Sequence, residues 1–397
     1  MNKTRIMTIG EVCATISDTY RSPADEVTLI NTSDVLEGKV LNHERVPNKE
    51  LKGQFKKTFK KNDILYSEIR PQNKRFAFVD FDPVDYIAST KLMVLRADTS
   101  KVLPMYLYYH LKSAPVIAEL QMLAETRSGT FPQITFTELS NLTIPVPGIS
   151  EQEAIVATLK CIEDKIDCNT EINDNLLDLA TALFNQTITE NNATLVIKIV
   201  SEIADVKGGK RLPKGINLQA TPNNHPYIRV RDLNDACIVQ LTPNFEYVDD
   251  ETQKGISRYI VHTSDVIVSI VGTIGLTALI HESLDNANLT ENCVKITNLK
   301  EVSPEYLLLF LRSVDGQNAI CQGTVGAVQA KLPIKNIQSI PVPIIPEPQK
   351  NQLNDQLHTI FLSIAANLSE NSHLIQIRDS LLPRLMSGDI DVSEVSI

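Results

Sequence analysis

Tryptophan is missing from this 397-residue chain, and aromatic residues make up only 5% of it. A chain so short of large rings is poorly equipped to stack the bases of a single strand. The usual catalytic signatures are missing as well. Gly208, Gly209 and Lys210 are followed by Arg211, whereas a phosphate loop needs Ser or Thr after its lysine. HExxH, GxSxG and NPPY runs do not occur, and Gly323 to Gly326 (GTVG) is too short to be a dinucleotide fingerprint. The six cysteines (Cys13, Cys161, Cys168, Cys237, Cys293, Cys321) form no CxxC pair, which predicts free, buried thiols in a reducing cytoplasm. The seven histidines (His43, His110, His225, His262, His281, His358, His373) show no metal-ligand spacing. Met1 to Cys13 lacks the apolar core of a secretory leader. The longest apolar run, Val266 to Ile280, is broken by Ser269, Gly272, Thr273, Gly275 and Thr277. It predicts two buried strands around a glycine turn rather than a membrane span. The expectation is a cytoplasmic chain with no catalytic residue, no metal and no bound cofactor.

Charge is uneven. The net charge is −10, which by itself argues against a nucleic-acid partner. Yet Ser150 to Glu190 carries −7 and Glu347 to Ile397 carries −4, so the rest of the chain carries +1. Acidity is confined to two segments that need not meet DNA.

Those two segments belong to an internal repeat. Val102 to Ser113 (VLPMYLYYHLKS) matches Val302 to Ser313 (VSPEYLLLFLRS), and Asp63 to Ser67 (DILYS) matches Asp265 to Ser269 (DVIVS). Ile134 to Phe184 aligns without gaps on Leu332 to Leu382, and Gly10-Glu11-Val12 resembles Ser201-Glu202-Ile203. An ordered series of matches marks a duplicated domain. His110 stands opposite Phe310, which makes it a packing residue. Each half runs through a strand-rich region, a short helix opened by Pro104 or Pro304, and a proline-rich hinge (Ile144 to Pro147, Ile340 to Pro343). A long segment of helical period comes last.

In that last segment apolar residues fall alternately four and three apart, at Ile155, Leu159, Ile162, Ile166, Leu176, Ala180 and Leu183. Leu353, Leu357, Ile360, Ile364, Leu374 and Leu381 hold the matching places, with Arg378 opposite Ala180. This spacing predicts a coiled-coil seam. Asn169, Asn173, Asn367 and Asn371 interrupt it, and a polar seam residue fixes register at some loss of stability.

Basic residues concentrate where acidic ones do not. Between Lys39 and Arg75 lie Lys39, Arg45, Lys49, Lys52, Lys56, Lys57, Lys60, Lys61, Arg70, Lys74 and Arg75, against four acids. In the second half Lys207, Lys210, Arg211, Lys214, Arg229 and Arg231 stand against Asp205 and Asp232. Lysines suit phosphate neutralisation, and arginines also reach guanine edges. The polar turns holding Arg127, Ser128 and Thr130, and Gln322 to Gly326, would bring backbone close to phosphate.

The chain resembles a type I restriction-modification specificity subunit. The resemblance rests on Asp63 to Pro71 (DILYSEIRP) with Lys74 and Arg75, and on Ser128 to Ile134 (SGTFPQI). It rests also on Ile144 to Pro147 followed by Glu151-Gln152, and on the ending Ile377 to Gly388 (IRDSLLPRLMSG). It implies an α+β chain in which two similar target-recognition domains are separated by two long antiparallel coiled-coil helices, with a pseudo-two-fold internal repeat. The expected division is 1-149 (first recognition domain), 150-190 (central spacer helix), 191-346 (second recognition domain), 347-386 (C-terminal spacer helix) and 387-397 (tail). By the same resemblance the chain reads a bipartite double-stranded DNA site. It would dock two DNA methyltransferase (modification) subunits and restriction (translocase-nuclease) subunits, away from any membrane. Those partners, not this chain, would use S-adenosylmethionine, ATP and Mg2+. The second half departs from the pattern, with Pro346 to Gln349 (PEPQ) near its hinge and Val271-Gly272 in place of Ile69-Arg70. The arginine role is therefore carried to Arg70 alone. Two alternatives stand beside this reading: the recognition subunit of a related system that cuts both sides of its site, and a coiled-coil adaptor without DNA contact.

Overall fold

The structure, a computed structural model, describes residues 4–49, 53–126, 132–233, 236–326, 329–390 and 392. Lys52, Arg127, Ser128 and Thr130 lie outside the described residues. The chain divides into two compact units, Met1–Ile166 with His373–Ile397, and Asp167–Ser372.

The first unit is built on a four-stranded antiparallel sheet in the order Cys13–Ile16, Leu92–Ala97, Ile64–Ser67, Phe76–Phe78. Ile64–Ser67 is buried at all four positions, which explains why it reads as an unbroken apolar run rather than an alternating one. A second sheet runs in the order Val46–Pro47, Glu26–Ile30, Tyr86–Ser89, Phe55–Lys57, and the second unit repeats its parallel central pair as Tyr227–Ile228 with Asn288–Leu289. The second unit repeats the first sheet in the order Asp205–Gly208, Cys293–Thr297, Val266–Ser269, Thr277–Ile280, and adds Ile238–Val239. The register corresponds too, with Ile64 opposite Leu95 in one unit and Val266 opposite Ile296 in the other. The run from Val266 to Ile280 is the expected pair of strands, turned by Gly272 and Gly275 at φ +82° and +90°.

The proline-rich hinges are strands. Thr143–Val146 pairs antiparallel with Arg5–Thr8, and Pro341–Ile344 with Val196–Ile199. Proline is tolerated in a two-stranded ribbon because only one edge of each strand needs its N–H groups. The helices Pro104–Leu111 and Pro304–Arg312 hold these ribbons by one repeated bond. Tyr106 Oη donates to the Pro145 carbonyl at 2.9 Å, and Tyr306 Oη to that of Pro343 at 2.7 Å. Both tyrosines are wholly buried, each contributing roughly 1.5–3 kcal/mol of burial. His110 is a buried packing residue bonded to the Thr143 carbonyl at 3.0 Å, and its counterpart Phe310 is buried as well.

Two long helices, Ile149–Glu190 and Gln349–Ser387, run through both units. Inside the first unit Ile155 and Leu159 share a core with Leu382, Leu385 and Met386. Inside the second, Ala180 and Phe184 share one with Leu353, Leu357, Phe361 and Ile364. The helices run antiparallel there, because Asn169 bonds Asn371 while Asn173, four residues on, bonds Asn367, four residues back. Ile155, Leu159, Ile162, Ala180, Leu353, Leu357 and Ile364 of the seam are buried, whereas Ile166, Leu176, Leu183, Ile360, Leu374 and Leu381 are only half-buried. Gln152, wholly buried, accepts from Leu103 N at 2.8 Å and donates to the carbonyls of Lys101 and Pro147. The Glu-Gln signature therefore locks a helix start to a loop.

The cysteines are all free, but only Cys13 and Cys293 are buried. Cys161 and Cys168 sit off the helix seam and, like Cys321, are exposed. Among the described residues no helix is long and apolar enough to cross a membrane.

Candidate nucleic-acid interface

The basic residues of the first unit separate into two groups. One group is turned outward. Lys60 and Lys61 ride on a turn that Asp63 builds, its Oδ2 accepting from Lys60 N at 2.8 Å, with Asn62 at φ +71°. Asp63 itself is buried and clamped by Arg96, at 2.8 Å to Nε and 2.7 Å to Nη2. The second unit repeats the turn, where Asp265 accepts from His262 N at 2.9 Å and Ser264 sits at φ +68°. The shared aspartate is thus a turn-builder, and only the first unit loads its turn with lysines. Lys49, Lys56, Lys60 and Lys61 are exposed, with no ion-pair partner among the described residues. Lys39 is exposed on the short strand Lys39–Val40.

The other group is spent on the fold. Lys57, on the face of its strand opposite Lys56, donates to the carbonyls of Thr90 (3.1 Å) and Leu92 (2.8 Å), and burial holds its ammonium below the usual lysine range. Arg75 donates to the carbonyls of Ser33 and Val35. Arg45 reaches those of Glu26 and Val84 and lies over the Tyr86 ring. Lys74 pairs with Glu37 at 3.0 Å.

Arg70 is a case of its own. It sits exposed at φ +44°, just ahead of the turn Pro71–Asn73. A left-handed backbone costs a residue with a Cβ about 1–2 kcal/mol. The second unit places Gly272 at the matching position, φ +82°, where the conformation is free of that penalty.

In the second unit Arg211, Arg229 and Arg231 line one cleft of about 370 Å³, together with Tyr227, Thr290 and Asn292. The loop entering it is set by Gly209, where a Cβ would fall 2.0 Å from the Thr290 carbonyl oxygen. Each arginine has an acidic partner. Arg211 Nε donates to Glu291 at 2.6 Å, Arg231 Nη2 donates to Glu246 at 3.3 Å, and Arg229 pairs with both Glu246 and Asp232. Burial pushes the Asp232 carboxyl up to about 6, against the pull of Arg231. Glu246 and Glu291 carried no signal in the sequence, because their partners are 15 to 80 residues away. Lys210 lies over the Tyr259 ring, Lys207 pairs with Asp205 at 3.6 Å, and Lys214 is exposed. This cluster is better organised, and less positive, than the sequence suggested. Among the described residues no group of three or more His, Cys, Asp or Glu is placed to hold a metal.

The four seam asparagines come together in the second unit. Asn169 Nδ2 donates to Asn371 Oδ1 at 2.9 Å and to Glu370 at 2.7 Å, and Asn367 Nδ2 donates to Asn173 Oδ1 at 2.8 Å.

Comparison with known proteins agrees with this picture. The chain is 30% identical to the type I restriction enzyme HindI specificity subunit of Haemophilus influenzae, across 96% of this chain and 98% of that one. It is 22% identical to the MjaIX specificity subunit of Methanocaldococcus jannaschii, across 79% and 77%. The crystal structure of a type I restriction-modification system S subunit from M. genitalium shares the fold, with a TM-score of 0.57 at 17% identity over 97% and 96% of the two chains. The model of the type I restriction modification DNA specificity domain matches twice, over residues 1–178 and 194–376. The chain therefore belongs to the type I restriction modification DNA specificity domain family.

Proposed function

We propose that the chain is the non-catalytic, sequence-reading subunit of a type I restriction-modification complex, with each unit reading one half of a bipartite duplex site. The observation that carries this reading is the doubling. The family model matches twice, and the same sheet order, aspartate turn and tyrosine tie recur in each unit. Two linked readers multiply their affinities when the spacing lets both engage. The outward lysines of the first unit and the arginine cleft of the second are the surfaces we assign to DNA. Lys57, Arg45 and Arg75 are left out because their head groups are engaged by the fold. Arg127, Ser128 and Thr130 remain assigned to DNA from the sequence alone.

The acidic long helices serve as a ruler between half-sites and as the docking face for two DNA methyltransferase subunits. Restriction subunits join that assembly. S-adenosylmethionine, ATP and Mg2+ belong to those partners. Profiling adenine methylation in cells carrying the chain and its partners tests the reading. One asymmetric motif, split by a gap of fixed length, is expected. A single uninterrupted motif, or none dependent on the chain, contradicts it.

A further inference from the structure

We infer that the second unit holds a binding site for an organic cation with a short apolar stem, an alkylammonium or alkylguanidinium group. The site is a cavity of about 290 Å³ between residues 358–369 of the long helix and the strands Ile238–Val239 and Thr277–Ile280. It lies wholly within the second unit and owes nothing to the DNA reading above. Leu279, Phe361, Leu362 and Ala365 give it apolar walls, and Leu362 is left 57% exposed to solvent. Glu305, from the start of the helix Pro304–Arg312, is one of its polar walls.

Glu305 is only 5% exposed, yet just one of its carboxylate oxygens is bonded. His358 Nδ1 donates to Oε1 at 3.0 Å, whereas Oε2 has no partner among the described residues. Buried polar atoms are nearly always paired, and one left unpaired marks a place for water, an ion or a ligand. The helix start favours negative charge at Glu305, but it places no donor on Oε2. Among the described residues no lysine or arginine lines the cavity, and Glu282 adds a second acid to its wall. His281 also lines it, with both ring nitrogens already taken, by Ser283 Oγ at 3.0 Å and Ser369 Oγ at 3.1 Å. The unmet demand is for one donor, and a cationic one makes the stronger bond to a carboxylate. A water would fill Oε2 and leave the apolar walls wet, whereas a hydrocarbon stem covers them.

The repeat shows that the fold does not require this carboxylate. Met105 holds the place of Glu305 and Lys160 that of His358. The helix Pro104–Leu111 forms with that methionine packed against the core, and Lys160 pairs with Asp164 on its own helix at 2.7 Å. The acid on the long helix of the first unit, Glu163, stands where the second has Phe361, and it is met by Lys112 and Arg378 from within the unit. The first unit thus neutralises its half-buried acid internally. The second brings neither lysine nor arginine to Glu305 among the described residues.

The test titrates n-butylammonium chloride into the full chain, with n-butanol at equal ionic strength as the neutral control, and follows the methyl resonances of Leu279 and Leu362. Saturable shifts are expected with the amine, and binding at least about tenfold weaker for n-butanol and for Glu305→Gln. Glu305→Met, which copies the first unit, should fold as the wild type does and lose the same affinity. Equal affinity for amine and alcohol, or an amine affinity that Glu305→Gln leaves intact, would reduce the cavity to an apolar hollow and overturn the inference. No saturable shift in the wild type would assign Oε2 to water and overturn it as well. Repeating the titration on the chain assembled with its modification subunits separates two sources of the cation. A basic side chain supplied by a subunit would exclude n-butylammonium from the cavity, and Glu305→Gln would weaken assembly by about tenfold. A free amine would still bind in the assembly, and the substitution would leave assembly unchanged.

Discussion

Asn169, wholly buried in the seam of the long helices, donates to the side-chain oxygen of Asn371 at 2.9 Å. Shifted by the repeat, the same bond becomes Asn367 donating to Asn173 at 2.8 Å. One bond is thus made twice, as a pair of antiparallel helices with equivalent sequences requires. Replacing Asn371 with Ala leaves a buried amide short of an acceptor. It should cost about 1–3 kcal/mol, towards the lower end because Glu370 also accepts from Asn169. Replacing both Asn169 and Asn371 with Leu should raise stability while loosening register. Urea unfolding of the single and double variants checks this, and additive effects would remove the bond from the account.

Burial pushes the His110 imidazole down to about 4, although its hydrogen bond to the Thr143 carbonyl pulls the other way. The folded value is below the unfolded one, so its contribution to stability is complete above about pH 6.5 and is lost as pH falls towards 4. The loss should approach about 3 kcal/mol. His110→Phe, which copies Phe310 of the second unit, should flatten this acid limb. Melting temperatures between pH 4 and 7 decide it, and an equally steep limb in the variant would exclude His110 as its source.

Gln152 makes three hydrogen bonds from a fully buried position. Gln152→Ala should destabilise the first unit by roughly 2–4 kcal/mol, because it strands a donor and two acceptors. Isothermal denaturation measures this, and a loss below about 1 kcal/mol would mean that water replaces the side chain at no great penalty.

Lys56, Lys60 and Lys61 point outward and Lys57 inward. Alanine at the three outward lysines should leave stability unchanged and reduce the slope of log affinity against log salt by about 0.9 for each phosphate no longer neutralised. Lys57→Ala should do the opposite, lowering stability with little effect on the slope. Titrations of the complex on duplex DNA at several salt concentrations separate the two groups.

If the long helices set the gap between half-sites, four residues inserted at matching places in both add about 6 Å and roughly one turn. The methylated motif should then carry a longer gap with its half-sites unaltered. The original gap, retained by an active variant, would rule the helices out as the ruler.

The duplication, the two long helices with their interrupted seam, the helix starts at Pro104 and Pro304 and the strand pair from Val266 were all legible in the sequence. Each depends on local period or on similarity within the chain, and neither requires knowing what lies across a sheet. The hinges were misread for the opposite reason. Proline forbids a helix, but whether Pro145 and Pro343 end in a loop or a strand depends on Arg5–Thr8 and Val196–Ile199, which lie more than a hundred residues earlier.

The sequence by itself determined the number of domains, the helix register and where the basic residues concentrate. Only the tertiary structure decided which of those residues are available. Lys56 and Lys57 are adjacent in the chain, yet strand alternation turns them to opposite faces, and the carbonyls of Thr90 and Leu92 claim only one. Arg211, Arg229 and Arg231 looked like free charge until the fold brought Glu246, Glu291 and Asp232 against them. Charge follows from composition, but its availability follows from long-range pairing. The strained Arg70, facing Gly272 across the repeat, became visible only as a backbone angle.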